Sequence, residues 1–306
     1  MTTVLDQPTG TPPVPTRRPP LSPGGRALAW VGGSIGVVLA IWSSLSVASL
    51  IAREKTTDEA THEARDVVEL VADGRVAVAA APPGSDEVHV DREARFAFSE
   101  PRYSTTLTDD RLVVSYRCSM SWVFTCDTSL DVTLPAGTQL VVRSSSGDVR
   151  VAGIVGDVDL RTSDGKVDAR DLGGDVIARS SNGDVVVVDA AGAVLATTSD
   201  GSVTVRGAAS VEARSSNGHV EVEDVAGDVV ARSSNGRVEV ANARSDITAT
   251  SSNGDVRVYG TGEPVALDID TSNGGRNVEA PTDPAATVRV TIRSSNGSVS
   301  YLPPRG

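Results

Sequence analysis

The C-terminal half of the chain alternates apolar and polar residues in short runs that are separated by glycine-containing turns. These runs are too short and too rich in β-branched residues for helices, and a period of two is typical of a strand with one buried face. One parity of each run is therefore predicted to point inward. It comprises Val149, Val151, Val185, Val187, Val203, Val205, Val220, Val222, Val238, Val240, Val256 and Val258.

The runs follow a recurring phrase, Arg-Ser-Ser-Asn-Gly-Asp-Val and close variants. Its glycines lie 18 residues apart, with one interval of 17, at Gly147, Gly165, Gly183, Gly201, Gly218, Gly236 and Gly254, and the phrase returns at Gly274 and Gly297. A fixed period predicts stacked repeats in which each unit buries its apolar face against its neighbours. The Asn-Gly pairs predict tight turns with positive φ, and many units carry a second turn glycine.

Each repeat is thus predicted to contain two short strands and two turns. The second strand offers small inward residues, such as Val176, Ala178 and Ser180, which predict a thin coil with two facing sheets. The predicted fold class is all-β: a two-sided, right-handed β-solenoid of 18-residue coils, preceded by one transmembrane helix. The repeats span 143–301, degenerate capping coils span 67–142, and Val299–Tyr301 with the prolines after it is expected to end the ladder before a short tail, 302–306.

The predicted membrane helix covers 26–53, because the stretch from Ala27 to Ala52 carries no charge. As a helix it would extend roughly 39 Å, enough to cross a hydrocarbon core of about 30 Å. A cleaved signal peptide is the alternative interpretation, although the apolar run is long and the leader before it is extended. The proline-rich residues 1–25 are expected to form a disordered cytoplasmic tail, and 54–66 a polar stalk with some helix.

Cys118 and Cys126 are the only cysteines. The histidines His62, His89 and His219 are scattered, so a zinc site is not expected and a disulfide is. A disulfide requires an oxidising compartment. The positive residues flanking the apolar stretch are balanced, so the cysteine pair and the large, lysine-poor repeat domain decide the predicted topology. It is a single-pass protein of the cell membrane with the N-terminus inside and the C-terminal domain extracellular.

The formal net charge of −12 argues against nucleic acid as a partner. One local exception is an outward column of arginines, which could face a polyanion such as a cell-wall polymer. The alternative is a solvated face neutralised by nearby Asp and Glu. The column comprises Arg143, Arg161, Arg179, Arg214 and Arg232, and it resumes at Arg293.

No cofactor or metal is predicted. A Gly-Asp pair in many units invites comparison with calcium-binding β-rolls, but Lys166, Ala193, Ser202, His219 and Arg237 stand where that Asp would be needed in the other units. The outward positions are too mixed for an ice or mineral binder. No motif of a hydrolase, metalloprotease or phosphate-binding enzyme is present in the sequence.

The apolar N-terminal segment, a divergent β segment ending in Val132–Leu140, and the Ser-Ser-Asn-Gly-Asp-Val coils together resemble the bacterial putative-adhesin family of cell-envelope β-strand-repeat domains. The resemblance implies a β-solenoid, an envelope location and a role in surface interaction or envelope-stress sensing. It supplies no catalytic or ligand residues. We therefore expect a non-enzymatic surface module whose partner is a surface protein, a glycan or its own copies; a carbohydrate-active β-helix enzyme of the envelope is the alternative.

Overall fold

The computed structural model describes residues 54–97, 100–118 and 126–305, together with short helical stretches at 35–36 and 42–43. The predicted tail 1–25 and most of the predicted membrane helix 26–53 lie outside these residues. Within the described ranges, no helix is long and apolar enough to span a bilayer. The residues from 54 onward belong to one compact unit and are described by themselves.

This unit is all-β, as predicted, and its strands are numbered in chain order. They are β1 (Glu54–Glu63), β2 (Val67–Ala72), β3 (Arg75–Ala80), β4 (Glu87–Phe96), β5 (Arg102–Leu107), β6 (Arg111–Arg117), β7 (Cys126–Leu134), β8 (Gln139–Ser144), β9 (Val149–Ala152), β10 (Val158–Arg161), β11 (Val167–Leu172), β12 (Val176–Arg179), β13 (Val185–Ala190), β14 (Ala193–Thr198), β15 (Val203–Ala208), β16 (Ser210–Ser215), β17 (Val220–Val225), β18 (Val229–Ser233), β19 (Val238–Ala241), β20 (Ile247–Ser251), β21 (Val256–Tyr259), β22 (Ala266–Thr271), β23 (Arg276–Val278), β24 (Arg289–Ser294) and β25 (Val299–Leu302).

The strands form two facing sheets, one of 13 and one of 12 strands. From β8 onward, each coil contributes an even-numbered strand to the 12-stranded sheet and the following odd-numbered strand to the 13-stranded sheet. Successive coils pair in parallel and in register, so that Val203 lies beside Val220, and Val220 beside Val238. The two-sided stack of coils is therefore confirmed, whereas its right-handedness stays a prediction.

The core lies between the two sheets and is made of small residues. All the valines predicted to point inward are at most 2% exposed. The opposing sheet contributes Val176, Ala178 and their counterparts in later coils, which are also buried. Short inward side chains bring the sheets close together, which explains why a chain with 3% aromatic residues can fill this core.

The turn glycines form a column in which successive coils touch through their backbones. A Cβ atom at Gly218 would lie 1.9 Å from the carbonyl oxygen of Gly201, and one at Gly236 would lie 1.9 Å from that of Gly218. The same close approach recurs from Gly147 to Gly254. These positions require glycine because any side chain would collide with the coil before it.

A buried hydroxyl accompanies each of these glycines. The Ser233 Oγ donates to the carbonyl of Gly218 in the preceding coil (3.0 Å) and accepts the N–H of Gly236 in its own turn (2.8 Å). The hydroxyl thus satisfies one backbone group in each of two successive coils, at the turn that leads from one sheet to the other. The residues that play this part are Ser144, Thr162, Ser180, Thr198, Ser215, Ser233, Ser251 and Ser294.

The predicted positive φ at the Asn-Gly turns is wrong. Among described non-glycine residues, positive φ occurs at Asp171, Asp189, Asp224 and Asn242, near the ends of strands in the 13-stranded sheet. Primed turns join neighbouring strands of one sheet, whereas the Ser-Ser-Asn-Gly turns join strands of opposite sheets. The glycine there is required by close approach rather than by its backbone angles.

The order of coils departs from chain order at both ends of the stack. The coil β2/β3 lies between β6/β7 and β8/β9, and the coil β24/β25 lies between β20/β21 and β22/β23. The expectation that Val299–Tyr301 ends the ladder is therefore wrong, since β25 pairs with β21 on one side and β23 on the other. The prolines follow a strand inside the stack, and β22/β23 forms the terminal coil.

The predicted stalk 54–66 is also wrong, because Glu54–Glu63 forms strand β1. This strand pairs antiparallel with β4, which pairs antiparallel with β7, while β5 closes the 12-stranded sheet beside β6. An outermost strand has no core to face, so its sequence is polar throughout and carries no apolar alternation. The segment 67–142 contains the coils β2/β3 and β6/β7, with the antiparallel strands β4 and β5 between them in the chain, and the start of β8.

The glycine column predicts a sharp contrast between two alanine substitutions in the full-length protein. Gly218→Ala would force the new methyl group against the backbone of Gly201 and should destabilise the protein by about 3 kcal/mol or abolish folding. Gly137→Ala is the matched control, because nothing lies within 4 Å of its Cβ position. Urea denaturation followed by circular dichroism measures both, and equal midpoints would refute the close approach.

The buried hydroxyls that bond to two successive coils predict a second contrast between two substitutions. Ser233→Ala leaves a carbonyl and an N–H without their partner and should cost about 1–3 kcal/mol. Ser234→Ala removes the neighbouring exposed hydroxyl and should cost less than about 0.5 kcal/mol. Thermal denaturation of the full-length variants side by side tests this, and a Ser234→Ala effect as large as that of Ser233→Ala would contradict the assigned roles.

Candidate interaction site on the sheet faces

The predicted arginine column lies on the outward face of the 12-stranded sheet. Arg143, Arg161 and Arg179 are consecutive partners across β8, β10 and β12, and Arg214 pairs with Arg232 across β16 and β18. Threonines interrupt the column at Thr197 and Thr250. Like charges therefore stack at the strand spacing of about 4.8 Å within two groups.

Most of these arginines bind a neighbouring carboxylate. The Nη1 of Arg143 lies 2.9 Å from the buried carboxylate of Glu69, and Arg161 donates to both oxygens of Asp159. The bidentate contact raises the pKa of the Arg161 guanidinium above its ordinary value. Arg214 pairs with Glu212, and Arg293 with Asp268.

Arg179 and Arg232 differ from the others because neither has an acidic partner within the described part of the chain. Beside them on the same face, the outward side chains of Ile177, Leu195 and Val230 are half-buried. This part of the sheet combines two uncompensated guanidinium groups with an apolar surface. It is the portion of the column best suited to an anionic partner.

The opposite, 13-stranded sheet presents an acidic patch. Glu221, Glu223 and Glu239 project from β17 and β19, and the side chain of Glu239 is only 10% exposed. Arg206 contacts Glu221 and Glu223 at 3.2 and 3.1 Å, and the hydrogen bond to Glu223 and the charge of Glu221 raise its pKa. The three carboxylates of this patch therefore lie close to guanidinium groups, as most arginines of the opposite face lie close to carboxylates.

A second guanidinium reaches this patch from the C-terminal tail. Arg305 contacts Glu239 and lies 3.8 Å from Glu221, 3.7 Å from Glu223 and 4.6 Å above the ring of Tyr259. Sequence reasoning missed this contact, since it treated 302–306 as a tail without a role. No local signal could have found it, because the contact depends on the position of β25 inside the stack.

The turn edge carries a ladder of side-chain amides. Asn235 donates to Asn217, Asn253 to Asn235 and Asn296 to Asn253, at 2.7–2.8 Å. The ladder saturates most of the amide donors along this edge. The ladder therefore serves chiefly to join adjacent coils along this edge.

The aspartates that follow the turn glycines bond to the next coil. Asp148, Asp175, Asp184 and Asp255 each accept the backbone N–H of the residue stacked above, at 2.8–3.0 Å. They act as ordinary turn residues. No group of three His, Cys, Asp or Glu side chains that could hold a metal ion occurs among the residues with described positions.

The predicted disulfide is confirmed. Cys118 and Cys126 are bonded, joining the end of β6 in one sheet to the start of β7 in the other. The backbone N–H of Cys118 also donates to Asp73 at 2.8 Å. The bridge therefore links the two strands of the coil β6/β7, and the hydrogen bond to Asp73 joins that coil to its neighbour β2/β3.

Comparison with known proteins identifies a family. A family model described as Toastrack DUF4097 matches residues 104–305. No curated protein matches the chain significantly.

Solved structures give distant similarities. A putative adhesin from Parabacteroides merdae shares 12% identity, covers 81% of this chain and 96% of its own, and has a TM-score of 0.37. A putative adhesin from Bacteroides fragilis shares 12% identity over 81% of this chain and 98% of its own, with a TM-score of 0.33. A putative cell adhesion protein from Clostridium sporogenes shares 8% identity over 81% and 100%, with a TM-score of 0.21.

Because Arg179 and Arg232 have no acidic partner, they are predicted to contribute most of the column's affinity for a polyanion. The double variant Arg179→Ser/Arg232→Ser should elute from immobilised dextran sulfate at a lower salt concentration than the parent, because fewer counterions are displaced. The control Arg237→Ser/Arg244→Ser removes the same charge from exposed turns. If both variants elute together and below the parent, net charge rather than the column governs binding.

Proposed function

Because the chain belongs to the Toastrack DUF4097 family, we propose that it is a non-enzymatic, membrane-anchored module of the cell surface that presents a flat sheet face to a partner. The observation that carries this proposal is the pair of long, in-register sheets whose outward faces hold charged side chains at a regular spacing. Such faces form a rigid platform whose side chains are held at a regular spacing. A platform of this kind suits recognition of a repeating or extended partner.

The partner that the 12-stranded face fits best is an anionic glycan or the acidic surface of another protein. Arg179 and Arg232 offer planar, multidentate donors for carboxylate or phosphate groups. The half-buried Ile177 and Leu195 beside them offer apolar contact for a sugar ring or an aliphatic side chain. The adhesion and envelope-sensing roles both need this type of contact.

The alternative, an enzyme that cleaves carbohydrate, requires two carboxyl groups placed on either side of a scissile bond. On the 13-stranded face, the outward carboxylates of Glu221, Glu223 and Glu239 each contact arginine. Each of these carboxylates is thus already engaged by a guanidinium group of the same chain rather than free to contact a substrate. This pairing supports binding over catalysis.

The proposed topology places residues 1–25 inside the cell, 26–53 across the membrane and the solenoid outside. The disulfide supports this orientation, because cytosolic thiols are kept reduced. The charge-free sequence from Ala27 to Ala52 supports the anchor. The chain would then enter the solenoid through β1, at the end where the antiparallel strands cap it.

The topology is tested in intact cells that express the full-length chain with a tag at each terminus. External protease should remove the C-terminal tag while the N-terminal tag stays protected, and Cys118 and Cys126 should react with a maleimide only after reduction. Permeabilised cells provide the control in which both tags become accessible. Protection of the C-terminal tag together with freely labelled thiols would reverse the orientation and refute the surface role.

A further inference from the structure

The C-terminal tail leaves the ladder abruptly after β25. The carbonyl of Leu302 accepts the last bond, from the N–H of Gly260 at 2.9 Å, and Pro303 and Pro304 have no N–H to continue pairing. Beyond this point, the polar contacts of the tail within the described residues are those of the Arg305 guanidinium. The tail is therefore held by one side chain rather than by a strand.

The position that Arg305 occupies has the features of an arginine-binding site. Carboxylates of Glu221, Glu223 and Glu239 surround the guanidinium, and the ring of Tyr259 lies against its plane. The small side chain of Ala241 stands between Glu223 and Tyr259 in the same outward column, which leaves room for the group. Carboxylates on one side and an aromatic ring on the other match the planar, delocalised charge of arginine better than the compact charge of lysine.

The charges at the site require a cation. Arg206 is shared between Glu221 and Glu223, so Glu239 depends on Arg305, with His219 4.0 Å away. With Arg305 in place, the side chain of Glu239 is nine-tenths buried, and a buried carboxylate is stabilised by a paired cation. Release of Arg305 would remove the ion pair of Glu239 unless another cationic group replaces it.

We propose that this face binds an arginine side chain carried by an extended segment of a partner protein, and that Arg305 occupies the site in the free protein as an intramolecular competitor. The tail is a short extended segment in which two prolines precede the arginine, so it shows the kind of ligand that the site accepts. Exchange of one guanidinium for another conserves every ion pair at the site. The partner's segment would compete against a tail whose effective concentration is of the order of millimolar.

The test uses full-length protein in detergent and a fluorescent peptide of sequence Leu-Pro-Pro-Arg-Gly, with binding measured by anisotropy. Arg305→Ala should bind the peptide at least about tenfold more tightly than the parent, because the internal competitor is gone. Adding Glu239→Gln to this variant should remove the gain. A peptide with citrulline in place of arginine, which keeps the shape and loses the charge, should not bind.

Arg244→Ala is the matched control, since it removes an exposed arginine that has no ion pair among the described residues, and it should behave as the parent does. Arg305→Lys retains a cation at the tail and should bind the peptide with an affinity between those of the parent and Arg305→Ala, which guards against misfolding of the alanine variant. Equal affinity of the parent and Arg305→Ala, with both circular dichroism spectra unchanged, would overturn the proposal. Equal binding of the arginine and citrulline peptides would overturn it as well.

Discussion

The structure depends on how closely one coil approaches the next at the Ser-Ser-Asn-Gly turns. The backbone of each turn glycine lies against the carbonyl of the glycine before it, at a distance that no side chain could enter. The adjacent hydroxyl bonds to both coils, so the turns of successive coils are held in the same register as their strands. Because these contacts recur from Gly147 to Gly254, the valines stack on valines and the strands of both sheets stay in register along this part of the stack.

The ends of the stack show how such a repeat stops. At both ends the outermost coil is out of chain order. The first coil in the chain, β2/β3, lies inside β6/β7, and the last, β24/β25, lies inside β22/β23. At one end, the strands β4 and β1 cover the last parallel edge in antiparallel orientation, and the outermost of them, β1, is polar. At the other, the three-residue strand β23 and the exposed charge of Arg276 discourage further pairing. The stack is therefore limited in length, and its long faces rather than its ends are available to a partner.

Much of this architecture could be predicted from sequence, because inward alternation and turn spacing are local signals. The buried positions of Val185, Val220 and Val256 follow directly from the period of the phrase. The exchange of coil order could not be predicted, since β22 and β24 carry similar phrases and only the loops between them determine which pairs with β20. The strand β1 could not be predicted for a different reason. An exposed edge strand has no apolar face, so its sequence lacks the alternation that indicates a strand.

The candidate site was predictable in part. The arginine column follows from spacing, but ion pairing depends on the residue two positions earlier in the same strand, as at Asp159, or on a different coil, as at Glu69. The contact of Arg305 with the acidic face depends on folding of the tail across several coils. Long-range contacts of this type have no local sequence signal, and they determine which charges on each face are left for a ligand.

Amide hydrogen exchange is the measurement that tests the central role of the glycine column most directly. The amides of Gly218 and Gly236 lie in turns, where exchange is usually fast, yet they donate to buried hydroxyls between closely packed coils. The account predicts that these amides exchange as slowly as those of the central strands, while outward-directed amides of the edge strand β1 exchange rapidly. Fast exchange of Gly218 and Gly236 in a folded protein would mean that the turns are loosely held and that the coils are aligned by the strands alone.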